Sequence, residues 1–316
     1  MRIIHDLKNI KKTRKPIIAA AGFFDGIHLG HQKVIKTAIT EADRNNGQAW
    51  VITFQKHPMR ILNPEAAPPI LTATEHKLQI LKSLNIDGCI MLPFNHKIAQ
   101  TPPEFFVQQL LESSPPLSGL VVGQNWHFGN KGKGNSRMIS RIIKGSPLHL
   151  SIVRPRIWKG ETISSTRIRT AVQRGNIENA TAMLGRPFSI IGTVQHGSGI
   201  GHSLGFPTAN LDAHHEVLPP FGVYATRMLI NRPDTKNKKL YNGILNFGTR
   251  PTFTEDNPKK PILELHIFDF KQNLYGTDIE IFFIAKIRNE KKFNSINALR
   301  KQISTDVTKA ETILRK

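Results

Sequence analysis

The sequence predicts an α/β domain with a parallel sheet, followed by a small antiparallel β barrel or sandwich closed by one C-terminal helix. Three observations predict it. In the first half, short and nearly continuous apolar runs alternate with stretches of helical period, the pattern of a parallel sheet covered on both faces. Beyond Gly185-Arg186-Pro187 the period changes to strict alternation punctuated by Gly, Pro and Asn, with no helical stretch between. The end of the chain returns to apolar residues spaced by threes and fours. The expected division is therefore 1–185 and 186–316, two domains of ordinary size.

Each element follows from its local pattern. Residues 17–21 form a short apolar strand that runs into Gly22. After His31, the residues Val34, Ile35, Ala38, Ile39 and Ala42 fall on one helix face. Residues 50–54 read as a buried strand, and Thr74 as the cap of a helix carrying Leu78, Leu81 and Leu84. Residues 89–92 give a third strand. A helix over 102–111 has proline near its first turn. Residues 120–122 and 150–153 supply two more strands, and two short helices follow around 164–184. In the second half, a strand opens at 221–225, while 263–267 and 279–282 alternate cleanly. The polar run 231–239 reads as a loop between strands. Ser295 caps the last helix, whose stripe is Ile296, Leu299, Ile303, Val307, Ala310 and Leu314. In a sheet of the first kind, ligands bind beyond the carboxyl ends of the strands.

Composition ranks ligands without choosing among them. The chain has 44 Lys+Arg against 23 Asp+Glu, a formal charge of +21, with a modest cluster at Lys11, Lys12, Arg14 and Lys15. Such an excess draws anions: ATP, phosphorylated substrates or RNA. No stretch approaches the roughly 18 apolar residues of a membrane span, and the N-terminal residues lack the apolar run of a signal peptide. The single cysteine, Cys89, excludes an intrachain disulfide and lies in an apolar run, as a buried inert thiol would. Together these predict a cytoplasmic protein with no membrane partner.

Two constellations carry chemistry. Gly22-Phe23-Phe24-Asp25-Gly26-Ile27-His28-Leu29-Gly30-His31 leaves a predicted strand and opens a predicted helix. His28 and His31, three apart, share a face there. Imidazoles beside free backbone N–H groups make a cradle for polyphosphate, and Gly22, Gly26 and Gly30 permit close approach. Metal binding ranks lower, since no third His or Cys stands out nearby. In Ile163-Ser164-Ser165-Thr166-Arg167-Ile168-Arg169, hydroxyls sit at a helix start and Arg169 one turn in, where its fork can pair with phosphate; an N-cap with a solvated basic face gives the same pattern.

The second constellation is the stretch from His196 to Asn210. Gly197, Gly199 and Gly201 can present backbone N–H groups to phosphate. Thr208 and Asn210, two apart on an extended segment, point the same way. As neutral oxygen donors they suit Mg²⁺ that already carries ATP. Glu264 alternates against Leu263, Leu265 and Ile267 and so faces away from them. The basic, glycine-rich 129–134 lacks the Lys-Ser/Thr of a Walker A loop.

The segments Phe24–Gln32, Val121–Gly129 and Ile163–Arg169 resemble the FAD synthetase module of the bacterial bifunctional riboflavin kinase/FMN adenylyltransferases. Gly205-Phe206-Pro207-Thr208-Ala209-Asn210, with 218–224, 246–253, 263–270 and 288–293, resembles the riboflavin kinase module of the same family. The resemblance spans roughly Ala20 to Asp306 with the motifs in order. It implies a Rossmann-like nucleotidyltransferase domain followed by an antiparallel β-barrel riboflavin kinase domain. Further, it implies that His28, His31 and Arg169 act on the ATP phosphates. Gly22, Phe24, Asp25, Gly30, Ser165 and Thr166 fall on the phosphate side of that site, and Asn125 on the flavin or nucleotide side. In the kinase module, Glu264 is the implied base for the riboflavin 5′-hydroxyl, and Thr208 and Asn210 the implied holders of Mg²⁺-ATP. FMN and FAD are then products, not prosthetic groups. Two departures stand out: Phe54-Gln55-Lys56-His57-Pro58, where many relatives read Phe-Asp-Pro-His-Pro or Phe-Glu-Pro-His-Pro, and Asn125, where some carry Asp.

Two rival readings are weaker. An adenylyltransferase for phosphopantetheine or nicotinamide mononucleotide leaves Pro207–Asn210 and Glu264 idle. A basic RNA-binding module lacks an aromatic-rich recognition signature, so no specific nucleic acid is expected. Oligomeric state is not legible.

Overall fold

The strand Ile17–Ala21 is buried at every residue, and this sets the architecture of the first half. Alternation sends Ile17, Ala19 and Ala21 into one core and Ile18 and Ala20 into another, so the sheet must be covered on both faces. The computed structural model describes residues 1–7, 15–113, 117–196, 205–214, 216–231, 239–249 and 261–315. Packing divides the chain into two compact units, Met1–Ser165 and Thr166–Lys316.

The first unit runs β1 (Arg2–Ile4), β2 (Ile17–Ala21), α1 (Leu29–Arg44), β3 (Gln48–Phe54), α2 (Met59–Leu62), α3 (Thr74–Ser83) and β4 (Gly88–Leu92). It continues through α4 (His96–Ala99), α5 (Pro103–Leu111), β5 (Gly119–Gly123), β6 (His127–Phe128), β7 (Gly134–Asn135), α6 (Ser136–Ile142), β8 (His149–Val153), β9 (Ile157–Trp158) and β10 (Glu161–Thr162). Six strands form one sheet in the order β1-β4-β3-β2-β5-β8, every pair parallel. One face packs on Val34, Ile35, Ala38 and Ala42 of α1 and on Ile80 and Leu81 of α3. The other packs on Val107 and Leu110 of α5 and Ile139 of α6. Chain order reverses between β2 and β5, which makes their carboxyl ends the topological switch point.

Several expectations shift in detail. β1 carries no sequence signal, because three residues are too few to show a period. Thr74 is not the cap of α3: Ala73 holds that position, and the Thr74 hydroxyl donates instead to Gln55 O at 3.0 Å. Residues 129–134 lie within the antiparallel ribbon of β6 and β7. Cys89 is fully buried, and desolvation pushes its thiol up to about 12.

The second unit takes up α7 (Ser165–Gln173), whose first residue is the last of the first unit, and α8 (Ile177–Leu184). Then come β11 (Ser189–Gln195), β12 (Ala209–Asp212), β13 (Gly222–Asn231), β14 (Leu240–Thr249), β15 (Pro261–Ile267), β16 (Asp278–Arg288) and α9 (Ile296–Leu314). The six strands close an antiparallel barrel, β11-β12-β15-β14-β13-β16. Contacts thus divide the chain ahead of the Gly185 break, because α8 lies against β16 and Phe188 N donates to Thr181 Oγ1 at 3.3 Å. Tyr224, Phe188 and Phe283 fill the barrel interior.

Helix α9 is capped by Ser295, whose hydroxyl accepts from Ala298 N at 3.2 Å. It seals the barrel with Ala310 and Leu314 over Val223, Ala225 and Ile244. Ile296 is not part of this seal: it is 71% exposed, at the first helical residue. Asp306 is buried on α9, with Oδ2 accepting from Arg288 Nε at 2.8 Å and Oδ1 from Gln302 Nε2 at 2.9 Å. Removing it strands a guanidinium that remains partly hydrated. Asp306→Ala should therefore cost about 3 kcal/mol, the lower end for breaking a buried pair. The three tryptophans, Trp50, Trp126 and Trp158, all lie in the first unit. The barrel's loss should thus shift a circular-dichroism melt while leaving the tryptophan transition in place.

Candidate active sites

The first site grows from the carboxyl end of β2. Gly22 N donates to Ile52 O at 3.1 Å, and the chain then turns sharply. Phe24 (φ 55°) and Ile27 (φ 39°) occupy the left-handed region, with Gly26 (φ 79°) between them. For a β-branched residue such as Ile27 that geometry is strained. Burial offsets the strain, since Phe24 is 1% and Ile27 0% exposed. Asp25 adds a polar lock: its Oδ1 accepts from Leu71 N at 2.8 Å and Thr72 N at 3.2 Å, while Gly26 N donates to Thr72 Oγ1. A carboxylate engaged in this way shapes the turn.

The turn delivers two imidazoles. His28 is the N-cap of α1, its Nδ1 accepting from His31 N at 3.3 Å. The His28 and His31 rings stack with centroids 3.6 Å apart, and Phe24 meets His31 edge-on at 5.3 Å. A Cβ at Gly30 would come within 3.0 Å of the His28 ring, so only glycine leaves the stack undisturbed. Burial, then the nearby His28 and Lys77, hold His31 well below the usual histidine range, so it is neutral at physiological pH. Its Nδ1 is buried and has no hydrogen-bond partner among the described residues. Ser165, the last residue of the first unit, donates its hydroxyl to Asp25 O at 2.9 Å, which puts that one hydroxyl on the same turn.

The remaining residues expected at this site are placed as follows. Asn125 is exposed in the turn after β5, at the switch point, with its carbonyl accepting from His127 Nδ1 at 3.0 Å. Gln55 and Lys56 are exposed just beyond β3, next to His57, whose ring meets Phe23 edge-on. Thr166 and Arg169 belong to the second unit, where the Arg169 guanidinium donates to Thr166 Oγ1 at 3.4 Å.

The second site lies on the barrel wall. On β15, Leu263, Leu265 and Ile267 are buried and Glu264 faces the other way, half-buried. Register sets Asn210 of β12 directly opposite Glu264 on one side and Asn246 of β14 on the other. Asn246 Nδ2 donates to Glu264 Oε2 at 3.3 Å, which orients the carboxylate. The His266 ring donates to Pro207 O at 2.8 Å and meets Phe206 edge-on, so the segment leading to exposed Thr208 is tied to the same strand. Gly197, Gly199 and Gly201 lie outside the described residues. No group of three or more His, Cys, Asp or Glu among the described residues could hold a resident metal.

The FAD synthetase family model matches residues 10–167 and the riboflavin kinase family model residues 184–314. The bifunctional riboflavin kinase/FMN adenylyltransferase of Bacillus subtilis is 35% identical over 312 residues, 98% of this chain and 96% of that protein. The chain belongs to the bifunctional riboflavin kinase/FMN adenylyltransferase family. The Haemophilus influenzae member is 34% identical over 98% of both chains, and the Escherichia coli K12 member 30% identical over 97% of this chain and 96% of its own. A solved Streptococcus pneumoniae chain described as a macrolide-efflux protein shares the fold over 98% of both chains, with TM-score 0.81 and 27% identity. In this riboflavin kinase/FMN adenylyltransferase family member, no described helix is long and apolar enough to cross a membrane. The imidazole turn falls within the FAD synthetase match, and Glu264 within the riboflavin kinase match.

Sequence reasoning missed Asn246 and His266, whose partners are visible only once strand register is known. Their one signal was membership of the motif segments around them.

Proposed function

We propose that the barrel of this family member phosphorylates riboflavin to FMN, and that its α/β domain adenylylates FMN to FAD. The observation that carries the first half is Glu264 held between Asn210 and Asn246. Glu264 takes the proton of the riboflavin 5′-hydroxyl as that oxygen bonds to the γ-phosphorus of ATP; the bond to the β-phosphate oxygen breaks and ADP leaves. Thr208 and Asn210 are the neutral oxygens that would hold Mg²⁺ on ATP. They fit a cation that arrives with its nucleotide, and its bound charge would offset that of the phosphates. Gly197, Gly199 and Gly201 are assigned to the same phosphates on sequence alone.

In the α/β domain an FMN phosphate oxygen bonds to the α-phosphorus, and the bond to pyrophosphate breaks. The attacking phosphate is already a nucleophile, so the protein's task is alignment and charge dispersal. His28, neutral His31, Ser165, and by resemblance Thr166 and Arg169, are the proposed donors to the phosphates. Gly22, Phe24, Asp25 and Gly30 build the turn that aims them, and Asn125 is proposed on the flavin side. The functional division is proposed near Gly185. The single buried cysteine and the absence of a membrane-crossing described helix support a cytoplasmic location.

The test is incubation with riboflavin, ATP and Mg²⁺ and separation of flavins over time. FMN should appear first and FAD after it. Failure to form FMN, or FMN that never proceeds to FAD, overturns the corresponding half.

A further inference from the structure

We infer that Lys77 is the positioning residue for adenylylation, the strut that fixes the Phe23–Ile27 turn against the end of β3. The inference rests on the adenylyltransferase reading above. Lys77 projects from α3 and is 2% exposed, a rare environment for lysine. Its ammonium donates to Phe23 O at 3.0 Å and to Phe54 O at 3.3 Å. It also stands 4.1 Å above the Phe23 ring centroid. The two carbonyls are separated by most of the β2-α1-β3 unit in sequence, and one cation gathers them. Thr53 Oγ1 donates to the same Phe23 carbonyl at 2.9 Å, so the turn's first peptide is held from two sides. That peptide precedes the strained Phe24 and Ile27, whose geometry aims His28 and His31.

The charge on Lys77 is part of the strut. Burial lowers it to about 8, while Asp25 and Cys89 act to raise it. Of these two, the Cys89 thiol stays protonated at neutral pH. On the α1 side the facing titratable group is neutral His31. Below about pH 8 the ammonium makes charge-assisted bonds to both carbonyls. Above it, the neutral amine makes weaker bonds and loses its attraction to the ring. Adenylylation should therefore fall as pH rises through this value, although Lys77 touches no substrate.

The experiment measures FAD formation from FMN and Mg²⁺-ATP by the full chain, against pH. The wild type should show an alkaline limb near pH 8. Lys77→Arg should move that limb upward. Lys77→Met should lose about a hundredfold in kcat/KM at neutral pH, the cost of misplacing a catalytic group, with no alkaline limb. FMN formation from riboflavin should be unchanged in both, and tryptophan fluorescence should report that the first unit is folded. A wild-type profile flat through the alkaline range overturns the inference and needs no variant. So does a folded Lys77→Met that retains full adenylylation. A wild type that forms no FAD at any pH instead removes the adenylyltransferase reading on which the inference stands.

Discussion

Glu264→Gln should lower FMN formation from riboflavin by about 10²–10⁴-fold, the usual contribution of a positioned general base. FAD formation from supplied FMN should continue. The substitution is chosen to leave the barrel intact. Gln has the same shape, its amide oxygen can still accept from Asn246 Nδ2, and the position is half-buried on the barrel wall, away from the interior packing of Leu263 and Leu265. What disappears is the capacity to take a proton. Asn210 and Asn246 flank the carboxylate but cannot replace it, because a neutral amide is not a base at physiological pH. Both activities can be read in one preparation by separating flavin products. Equal loss of both in a folded variant, or retention of FMN formation, would remove Glu264 from the role proposed for it.

His31→Gln should lower FAD formation from FMN by about 10²–10³-fold, as loss of one preorganised donor does elsewhere, with FMN formation unchanged. The imidazole is half-buried with its Nδ1 sealed from solvent, stacked on His28 and braced by Phe24, so its donor is aimed before the nucleotide arrives. A flexible amide in its place loses that preorganisation. A second readout needs no substrate. Because the folded-state pKa of His31 is depressed, the unfolded chain binds a proton below pH 6.5 that the folded unit refuses. Stability of the first unit should therefore drop as pH falls through the ordinary histidine range, and His31→Gln should flatten that slope in the tryptophan melt. If FMN output fell instead of FAD output, the two sites would have to be exchanged.

The elements legible in the sequence are those whose burial has a clear period. β2 and β4 are buried throughout, and the stripes on α1 and α9 match the observed cores apart from the exposed Ile296 and from Leu299, which lies outside the α9 core cluster. The sequence does not mark β11 and β12 as strands because their apolar content is short or interrupted; only closure of the barrel gives them partners. At the sites, the His28–His31 pair was visible because a local spacing of three already implies proximity. Lys77 was not. On an amphipathic helix a lysine reads as solvated, and nothing in periodicity reveals a buried donor whose acceptor lies 54 residues earlier. Asp25 shows the converse. Its position in the motif was plain, but its engagement with the backbone of Leu71 and Thr72 depends on a segment 46 and 47 residues away.

The environment of Cys89 has a practical consequence. With the native sulfur sealed within the sheet and protonated at neutral pH, a cysteine introduced anywhere on the surface becomes the sole handle for maleimide chemistry. Dyes can therefore be attached singly to either half through one introduced cysteine, without first removing Cys89, to follow nucleotide arrival at each lobe in real time.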